Sequence, residues 1–434
     1  MATIMQAANA QKTKIEFTEF QLKNGLRVIL HEDHSTPIVA VGVMYHVGSK
    51  NEKPNRTGFA HFFEHLMFEG SENIGRGEIS KYIESAGGRL NAYTSQDKTY
   101  YHELLPSNQL ELALWIESER MLHAKIDTKG IETQREVVKE EKRQRYDNQP
   151  YGTAMQEIFK RAYKVHPYRW MPIGSMEDLN AASEEDFKDF YKNYYIPNNA
   201  VLVIAGDIDI QATKKLVEKY FGDIPKGKDV VRPSQNEPQQ TQEIRDTIFD
   251  KNIQLPAVIM GYHIPAIGTP DYYAVSMLSK ILADGESSRL VKRLVNDEQK
   301  ALYAGSFPFP LEHPGLNIIF AVASMESAPE ELEKIINDEI KKLQNELISD
   351  EELLKLKNKI EADFVSKISS MEGIAEKLAD YKVIYGDANL INTEIDRYLK
   401  VTKEDIRNAA KKYFTPQNRV VLYYLPDNTN ENKQ

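Results

Sequence analysis

A repeat with a fixed offset of 219 residues is the feature of this sequence that most constrains its fold. The spaced pattern of Glu-Asp, Lys, Tyr, Pro, Asn and Val in residues 185–201 recurs without a gap in residues 404–420, and the same offset carries Pro37 to Pro256. One such block could arise by chance, but two blocks in the same register indicate a duplicated chain. The 434 residues are therefore predicted to form two related domains.

The repeat places two homologous domains at residues 12–224 and 245–434, joined by a linker at residues 225–244 that holds three prolines and shows no hydrophobic period. Within the first domain, strand-like segments come as hairpins, the first around the turn Asn24-Gly25, and helix-like segments come in separate runs. This arrangement predicts an α+β fold rather than a doubly wound parallel sheet.

Composition excludes several classes of function. The net charge of −10 argues against a nucleic-acid partner, whose binding surface would be basic. The apolar runs are much shorter than the roughly 18 residues that a membrane span needs, so no transmembrane segment is predicted. The absence of cysteine excludes disulfide scaffolds, thiol nucleophiles and Cys-ligated zinc. A metal site would have to use histidines and carboxylates.

Two histidines one helical turn apart predict such a site. Thr57 is a good helix N-cap and Gly70 a good C′ residue, which places His61, Glu64 and His65 in the middle of a helix. Imidazoles at i and i+4 can share one Zn²⁺ at Zn–N distances of roughly 2.0–2.1 Å, and the glutamate between them can reach a water on the metal. This is the inverted zinc motif H-x-x-E-H. A stripe of phenylalanines beside the motif argues against the alternative, a solvated helix face.

A catalytic zinc site needs a third protein ligand. Three glutamates are candidates on the helix predicted at Thr128–Tyr146: Glu136, Glu140 and Glu141. Glu141 shares a helix face with Val137 and Val138, which we interpret as the inward face, whereas Glu140 is rotated away by about 100°. We select Glu141 on this geometry and keep Glu140 as the alternative.

The second domain is not expected to repeat the metal site. At the repeat offset it offers Lys280, Ala283 and Asp284 in place of the two histidines and the glutamate. The remaining histidines of the chain lie on predicted strands or loops without ligand spacing. The sequence therefore predicts one metal centre, in the first domain.

The segment Thr57–Ser71, with the sequence TGFAHFFEHLMFEGS, is followed by Glu141 76 residues after His65. These residues resemble the pitrilysin/insulinase/mitochondrial processing peptidase family of zinc metallopeptidases (inverzincins), and the two-domain length resembles its half-length, processing-peptidase-like branch. The resemblance implies one Zn²⁺ per chain held by His61, His65 and Glu141, with Glu64 as the general base. It also implies two domains that are each a mostly antiparallel sheet backed by helices, together forming half of a clamshell.

The segment GGRLNAYT at residues 87–94 is similar to the substrate-binding edge strand of that family. The resemblance implies that Asn91 and Ala92 meet an extended peptide, which adds to the sheet as a further strand. The residues alone would favour an ordinary core hairpin at this place.

Two departures from the family pattern bear on function. The family often carries a glutamate seven residues before the third ligand, and this chain has Gln134 there, beside the metal ligands. Self-sufficient members also carry an Arg-x6-Tyr pair that holds the substrate carbonyl. Here Tyr303 is present but Asn296 occupies the arginine position, and Arg293 and Lys300 are out of register. The chain therefore resembles a zinc-bearing subunit that an Arg/Tyr-bearing partner completes.

The sequence thus predicts a hydrolase, namely a zinc metalloendopeptidase subunit that cleaves peptides or unfolded polypeptides, in a heterodimer with a homologous partner or in a homodimer. The alternatives are a non-catalytic scaffold subunit and a peptide-binding clamp. Ala8-Asn9-Ala10 has the small-x-small pattern of a signal-peptidase site, which predicts a periplasmic protein whose export signal ends at Ala10. A cytoplasmic protein is the alternative.

Overall fold

The computed structural model describes residues 14–232 and 236–427, so the predicted processing site at Ala10 lies outside the described residues. The strands are β1 (Thr18–Gln21), β2 (Arg27–Glu32), β3 (Ile38–Tyr45), β4 (Arg89–Thr94), β5 (Thr99–Pro106), β6 (Ala200–Gly206), β7 (Ile244–Asp250), β8 (Ala257–His263), β9 (Ala301–Phe309), β10 (Leu316–Ala323) and β11 (Arg419–Pro426). They form two separate sheets.

The helices lie before, between and after these strands. They are α1 (Phe59–Leu66), α2 (Glu78–Ser85), α3 (Leu110–His123), α4 (Thr128–Lys142), α5 (Ala154–Ala162), α6 (Met176–Ala181), α7 (Glu184–Tyr194), α8 (Ile210–Phe221), α9 (Pro270–Ala283), α10 (Pro329–Asn345), α11 (Asp350–Lys367), α12 (Met371–Asp380), α13 (Leu390–Leu399) and α14 (Lys403–Tyr413). Among the described residues, no helix has both the length and the apolar character needed to span a membrane.

The first sheet has six strands in the order β1-β2-β6-β3-β5-β4, and the second has five in the order β7-β11-β8-β10-β9. Neighbouring strands are antiparallel except in one pair of each sheet, β2 with β6 and β7 with β11. Helices α1, α3 and α7 share one buried core with the first sheet, and α9, α10 and α14 share another with the second. The predicted α+β fold with two helix-backed, mostly antiparallel sheets is confirmed.

The repeat marks structurally equivalent elements. Helices α7 and α14 begin exactly 219 residues apart, and so do strands β6 and β11 and strands β3 and β8. The repeated asparagine has the same role in both domains: the side chain of Asn199 donates to the carbonyl oxygen of Tyr194 at 2.8 Å, and that of Asn418 donates to Tyr413 at 2.7 Å. These bonds satisfy carbonyl groups at a helix end, where backbone partners are missing.

In each half of the chain, one helix packs on the sheet of the other half. Helix α12, from the second half of the chain, packs on β3 and β6, where Leu378 shares a buried cluster with Met44 and Val203. Helix α5, from the first half, packs on β8 and β11, where Ile158 shares a buried cluster with Leu422. Both faces of each sheet are therefore covered, and the two halves of the chain are tied together by apolar burial.

A network of buried polar groups adds to this contact between the halves. His46 pairs through Nε2 with the carboxylate of Glu312 at 2.7 Å, and Lys50 pairs with Asp97 at 2.9 Å. Asp97 also accepts from the Tyr168 hydroxyl at 2.5 Å and from the backbone N–H of Glu312 at 2.9 Å. Asp97 lies in the turn between β4 and β5, so the network fixes that turn against the second half of the chain.

A second buried cluster lies behind α1. The guanidinium of Arg120, 2% exposed, pairs with the carboxylates of Glu117 and Glu103, and its Nε donates to the carbonyl oxygen of Met67 just after α1 at 3.3 Å. The guanidinium also lies 4.7 Å from the ring centroid of Tyr101. A buried cation with these partners fixes the end of α1 relative to β5 and α3.

Candidate metal centre

Helix α1 begins one residue later than the sequence suggests, because its N-cap is a glycine. Gly58 occupies the left-handed region at φ 89°, and the Thr57 hydroxyl donates to Asp178 instead of capping the helix. The buried carboxylate of Glu52 accepts from the N–H groups of Gly58 at 3.0 Å and Ala60 at 2.9 Å. The predicted N-cap at Thr57 is therefore wrong, and the carboxylate of Glu52, in the segment before the helix, satisfies its first backbone donors.

The two faces of α1 have different partners. Phe62 and Phe63 are fully buried and contact the rings of Phe187 on α7 and Tyr195 just after it. His61, Glu64 and His65 lie in the middle of this helix, as predicted, but the helix ends at Leu66 with Met67 as C-cap, so the predicted C′ residue Gly70 is wrong. Because the aromatic face is anchored, His61 and His65 are left on the face toward α4, with their ring centroids 4.9 Å apart.

Helix α4 brings Glu141 to these histidines. Its Oε2 lies 3.6 Å from Nε2 of His61 and 3.2 Å from Nε2 of His65. Glu140 is exposed and pairs with Arg143 at 3.1 Å, away from the site. The helix-face argument was correct for Glu141 but wrong for Val137, which is 45% exposed.

The three groups fit a zinc ion. Their ligand atoms all lie within 4.8 Å of one another. Ligands at roughly 2.0–2.1 Å from a tetrahedral Zn²⁺ are roughly 3.3 Å apart, close to the two distances to Glu141. Burial, and then the neighbouring His65, lower the pKa of His61 to about 4, so its imidazole is neutral at pH 7, as a metal ligand must be.

Gln134 orients the second histidine. Its Nε2 donates to Glu69 at 2.6 Å, which turns its Oε1 toward Nδ1 of His65 at 3.2 Å. Nδ1 then carries the proton and Nε2 presents its lone pair to the centre. Glu69 is itself held by an ion pair with Arg76. Gln134 thus supports the centre, as its sequence position suggests, with a neutral amide in place of a carboxylate.

Removing this amide should weaken metal binding without removing a ligand. We expect Gln134→Ala to lower zinc affinity about 10- to 100-fold, because His65 would lose the acceptor that fixes its tautomer. Competition with a zinc chelator measures the affinity. Thr133→Ala is the matched control, since Thr133 is exposed and its hydroxyl donates within its own helix, to the carbonyl oxygen of Lys129. Equal affinities of the two variants would contradict the orienting role of Gln134.

Glu64 lies on the wall of a cavity of about 480 Å³ that also includes His61, His65 and Glu141. The hydroxyl of Thr94, at the end of β4, donates to one carboxylate oxygen of Glu64 at 2.7 Å. Burial raises the pKa of Glu64 above its ordinary value. A carboxylate held beside a metal centre with a raised pKa can both accept and return a proton near neutral pH.

The strand predicted to bind substrate forms one side of the same cavity. Asn91 and Ala92 line it from β4, which is the edge strand of the first sheet. One backbone edge of β4 therefore has no neighbouring strand in its sheet. This is the arrangement that a peptide can extend by adding a strand.

Comparisons with known proteins identify the family of this chain. Residues 27–170 match the family model described as Insulinase (Peptidase family M16), and residues 181–360 match the one described as Peptidase M16 inactive domain. Zinc protease PqqE of Helicobacter pylori (strain ATCC 700392 / 26695) is 31% identical over 429 residues, which are 98% of this chain and 96% of that protein. The chain belongs to peptidase family M16.

Other M16 relatives cover nearly the whole chain as well. The uncharacterized zinc protease YmxG of Bacillus subtilis (strain 168) is 23% identical over 93% of this chain and 97% of its own length. A crystal structure of a protease from Helicobacter pylori superposes with a TM-score of 0.91 at 31% identity, covering 95% of this chain and all of that one. The first half of the periplasmic protease PqqL from Escherichia coli has the same fold, with a TM-score of 0.76 at 20% identity over 95% of this chain and 92% of that one. The predicted family is confirmed.

The Arg-x6-Tyr positions of the M16 pattern do not meet this chain's own metal centre. Tyr303 is 68% exposed on β9, and the cavity wall includes Phe309, six residues farther along that strand. Six residues of strand span roughly 20 Å. Asn296 donates to the backbone of Glu286.

At the repeat positions of the two candidate histidine ligands, the second domain carries ion pairs. Lys280 pairs with Asp284 at 2.8 Å and with Asp363 at 2.9 Å, and Lys359 pairs with Asp284 at 2.7 Å. Lys280 and Asp284 occupy the offset positions of His61 and His65. Opposite charges thus hold the two helices α9 and α11 together at this place.

Two further side chains line the metal cavity and were given no role from the sequence. Arg145 and Tyr146 follow α4 in a π-helical turn at Arg143–Asp147 and stand beside Glu141 in the cavity wall. The sequence could have indicated Arg145 by its spacing alone, since it follows Glu141 by four residues and shares its helix face.

Proposed function

We propose that this M16 chain is a zinc-dependent endopeptidase subunit that hydrolyses peptides or unfolded polypeptides. The observation that carries the proposal is the convergence of His61, His65 and Glu141 at zinc-ligand spacing, with Glu64 on the wall of the same cavity. The zinc protease names of the relatives support a peptidase role for the family. One Zn²⁺ is expected per chain.

The chemistry follows from the groups around this cavity. Zinc bound there would polarise the scissile carbonyl and make water a better nucleophile near pH 7. Glu64 takes the proton of the attacking water and passes it to the leaving amine, and the Thr94 hydroxyl keeps the carboxylate oriented during both transfers. Gln134 keeps His65 in the tautomer that binds metal.

The peptide binds as an added strand along β4. Asn91 and Ala92 are the positions where its backbone passes the cavity, so recognition there depends on extended conformation more than on side chains. In a folded protein most backbone N–H and C=O groups are already paired within its own secondary structure, whereas an unfolded segment leaves them available. The substrate is therefore a short or unfolded polypeptide.

The active assembly is a dimer, either with a homologous Arg/Tyr-bearing subunit or with a second copy. Tyr303 supports this, because it is exposed on β9 and available to the metal cavity of a neighbouring chain. The site of action is the periplasm, on the basis of the Ala8-Asn9-Ala10 pattern. PqqL, which shares the fold, is described as a periplasmic protease.

Turnover of a quenched-fluorescent peptide library tests the proposal. The zinc-loaded chain is compared with Glu64→Gln, alone and with a homologous Arg/Tyr-bearing M16 chain added. We expect Glu64→Gln to lower turnover about 10²- to 10⁴-fold, because the general base is lost. Glu140→Gln, on the exposed side of α4, is the matched control and should keep the wild-type rate.

Cleavage that continues unchanged in Glu64→Gln would overturn the proposed mechanism. The absence of Glu64-dependent cleavage under both conditions would also overturn it and would favour a scaffold or peptide-binding subunit. Zinc content alone does not separate these functions, since a structural zinc would give the same value.

A further inference from the structure

The metal cavity contains one permanent cation. Among the side chains that line it, Arg145 is the one arginine or lysine; it pairs with Glu141, and Glu64 lies on the same wall. A peptide carbonyl in this cavity gains negative charge as water attacks. A fixed cation beside the metal would stabilise that charge further, and Arg145 is the side chain of the cavity wall that carries one.

The guanidinium of Arg145 is held at one nitrogen by Glu141. Its Nη1 lies 2.8 Å from Oε1 of Glu141, while Oε2 of the same carboxylate faces the two histidines. Within residues 14–232 and 236–427, Glu141 is the one acid paired with Arg145. A guanidinium has five N–H donors in a fixed fork, and this side chain is 72% exposed, so further donors are open to the cavity.

In the part of the second domain that the structure describes, no basic side chain lines this cavity. Asn296 stands at the arginine position of the family pattern, and Arg293 and Lys300 are engaged in ion pairs with acidic side chains of their own domain. From that domain Phe309, an apolar residue, lines the cavity. Arg293, considered from the sequence as a nearby arginine, is excluded as the missing donor.

We propose that Arg145 binds the carbonyl oxygen of the scissile peptide bond in this chain and stabilises the charge that develops on it. The inference rests on the proposed function. Its ion pair with Glu141 sets the position of the guanidinium relative to the metal ligands, and the unanchored edge of the fork donates to the substrate. The chain then supplies in its own first domain a cation that the family resemblance assigns to a partner.

A double-mutant-type cycle, which combines a change in Arg145 with a change in the peptide, tests the contact between Arg145 and the scissile carbonyl oxygen. Binding is measured by fluorescence anisotropy with zinc-loaded Glu64→Gln and with the double variant that adds Arg145→Gln. The ligands are one library-derived peptide and its analogue with a trans-alkene in place of the scissile amide. We expect Arg145→Gln to weaken the amide peptide about 10- to 100-fold and to leave the alkene analogue unchanged, because the alkene has no oxygen to bind.

Kinetics and metal affinity give two independent readouts. In the chain with its general base intact, Arg145→Gln should lower kcat about 10²- to 10³-fold, Arg145→Lys should recover part of the loss, and zinc affinity should change less than about tenfold. Arg143→Gln is the matched control. Arg143 lies two residues earlier in the same turn and pairs with the exposed Glu140.

Three results would overturn the inference: equal loss of binding for the amide and the alkene, a loss of activity explained by a loss of zinc, or no difference between Arg145→Gln and Arg143→Gln. The first two would leave Arg145 as a group that only positions Glu141. Failure of the proposed function is distinguishable, because it appears as cleavage that does not depend on Glu64 or as no cleavage at all, whereas failure of this inference leaves Glu64-dependent cleavage in place.

Discussion

Replacing Glu141 with glutamine is expected to weaken zinc binding about 10²- to 10³-fold, whereas Glu140→Gln should leave it unchanged. A complete zinc site contributes roughly 10–16 kcal/mol, so one anionic ligand accounts for roughly 3–4 kcal/mol of it. Glutamine keeps the size of the side chain and removes its charge. Oε2 of Glu141 lies 3.6 Å and 3.2 Å from the two histidine Nε2 atoms, so the lost negative charge is one that would contact the metal.

The measurement is competition with a zinc chelator, with turnover of the peptide library recorded for the same samples. Glu140→Gln is a stringent control, because the two glutamates are adjacent on one helix and differ in which way they face. Weaker binding in Glu140→Gln, with Glu141→Gln unchanged, would show that the third ligand has been misassigned. If zinc affinity is unchanged in both variants, zinc is bound by other residues.

The second large effect is expected on stability. Arg120→Met should lower the free energy of unfolding by about 3–5 kcal/mol, because the carboxylates of Glu117 and Glu103 would stay buried without their cation. Urea unfolding followed by circular dichroism measures this loss. Arg120→Met combined with Glu117→Gln is the matched control, since it removes a carboxylate together with the cation and should recover part of the stability.

The loss of stability caused by Arg120→Met should also depend on pH. In the wild type, burial raises the pKa of Glu103 to about 7, although Arg120 opposes the rise. A carboxyl with a raised folded-state pKa contributes stability at low pH that is lost as the pH rises through that value. Without Arg120 the pKa of Glu103 rises further, so the free energy of unfolding of the variant continues to fall at higher pH. The difference between the two proteins should widen above about pH 7, and a constant difference would contradict this account.

Several features could be predicted from sequence because they depend on neighbouring residues or on a repeated pattern. The i, i+4 spacing of His61 and His65 fixes two imidazoles on one helix face wherever the helix lies. The rotation between Glu140 and Glu141 selects the one that faces inward, and the structure agrees. The repeat at residues 185–201 and 404–420 predicts equivalent helix–strand units, and these are present as α7–β6 and α14–β11.

Other features were missed because they depend on groups far apart in the chain. Thr57 has a good N-cap side chain, yet Asp178 takes its hydroxyl and Glu52 caps the helix instead. Val137 is apolar but exposed, since α4 buries a narrower stripe than the periodicity suggests. No local signal indicates that α12 covers the first sheet, because an amphipathic helix carries no information about which apolar face will meet it.

The sequence by itself determined that the chain is duplicated, that one half carries an inverted zinc motif, and that the arginine of the family pattern is absent at Asn296. These are properties of spacing along the backbone, where the helical repeat converts residue number into geometry. The tertiary structure alone decided the distances at which Glu141 meets the two histidines, the exposure of Tyr303 on β9, and the place of Arg145 in the same cavity wall. Such contacts join residues whose separation in space depends on packing, and packing is a property of the whole folded chain.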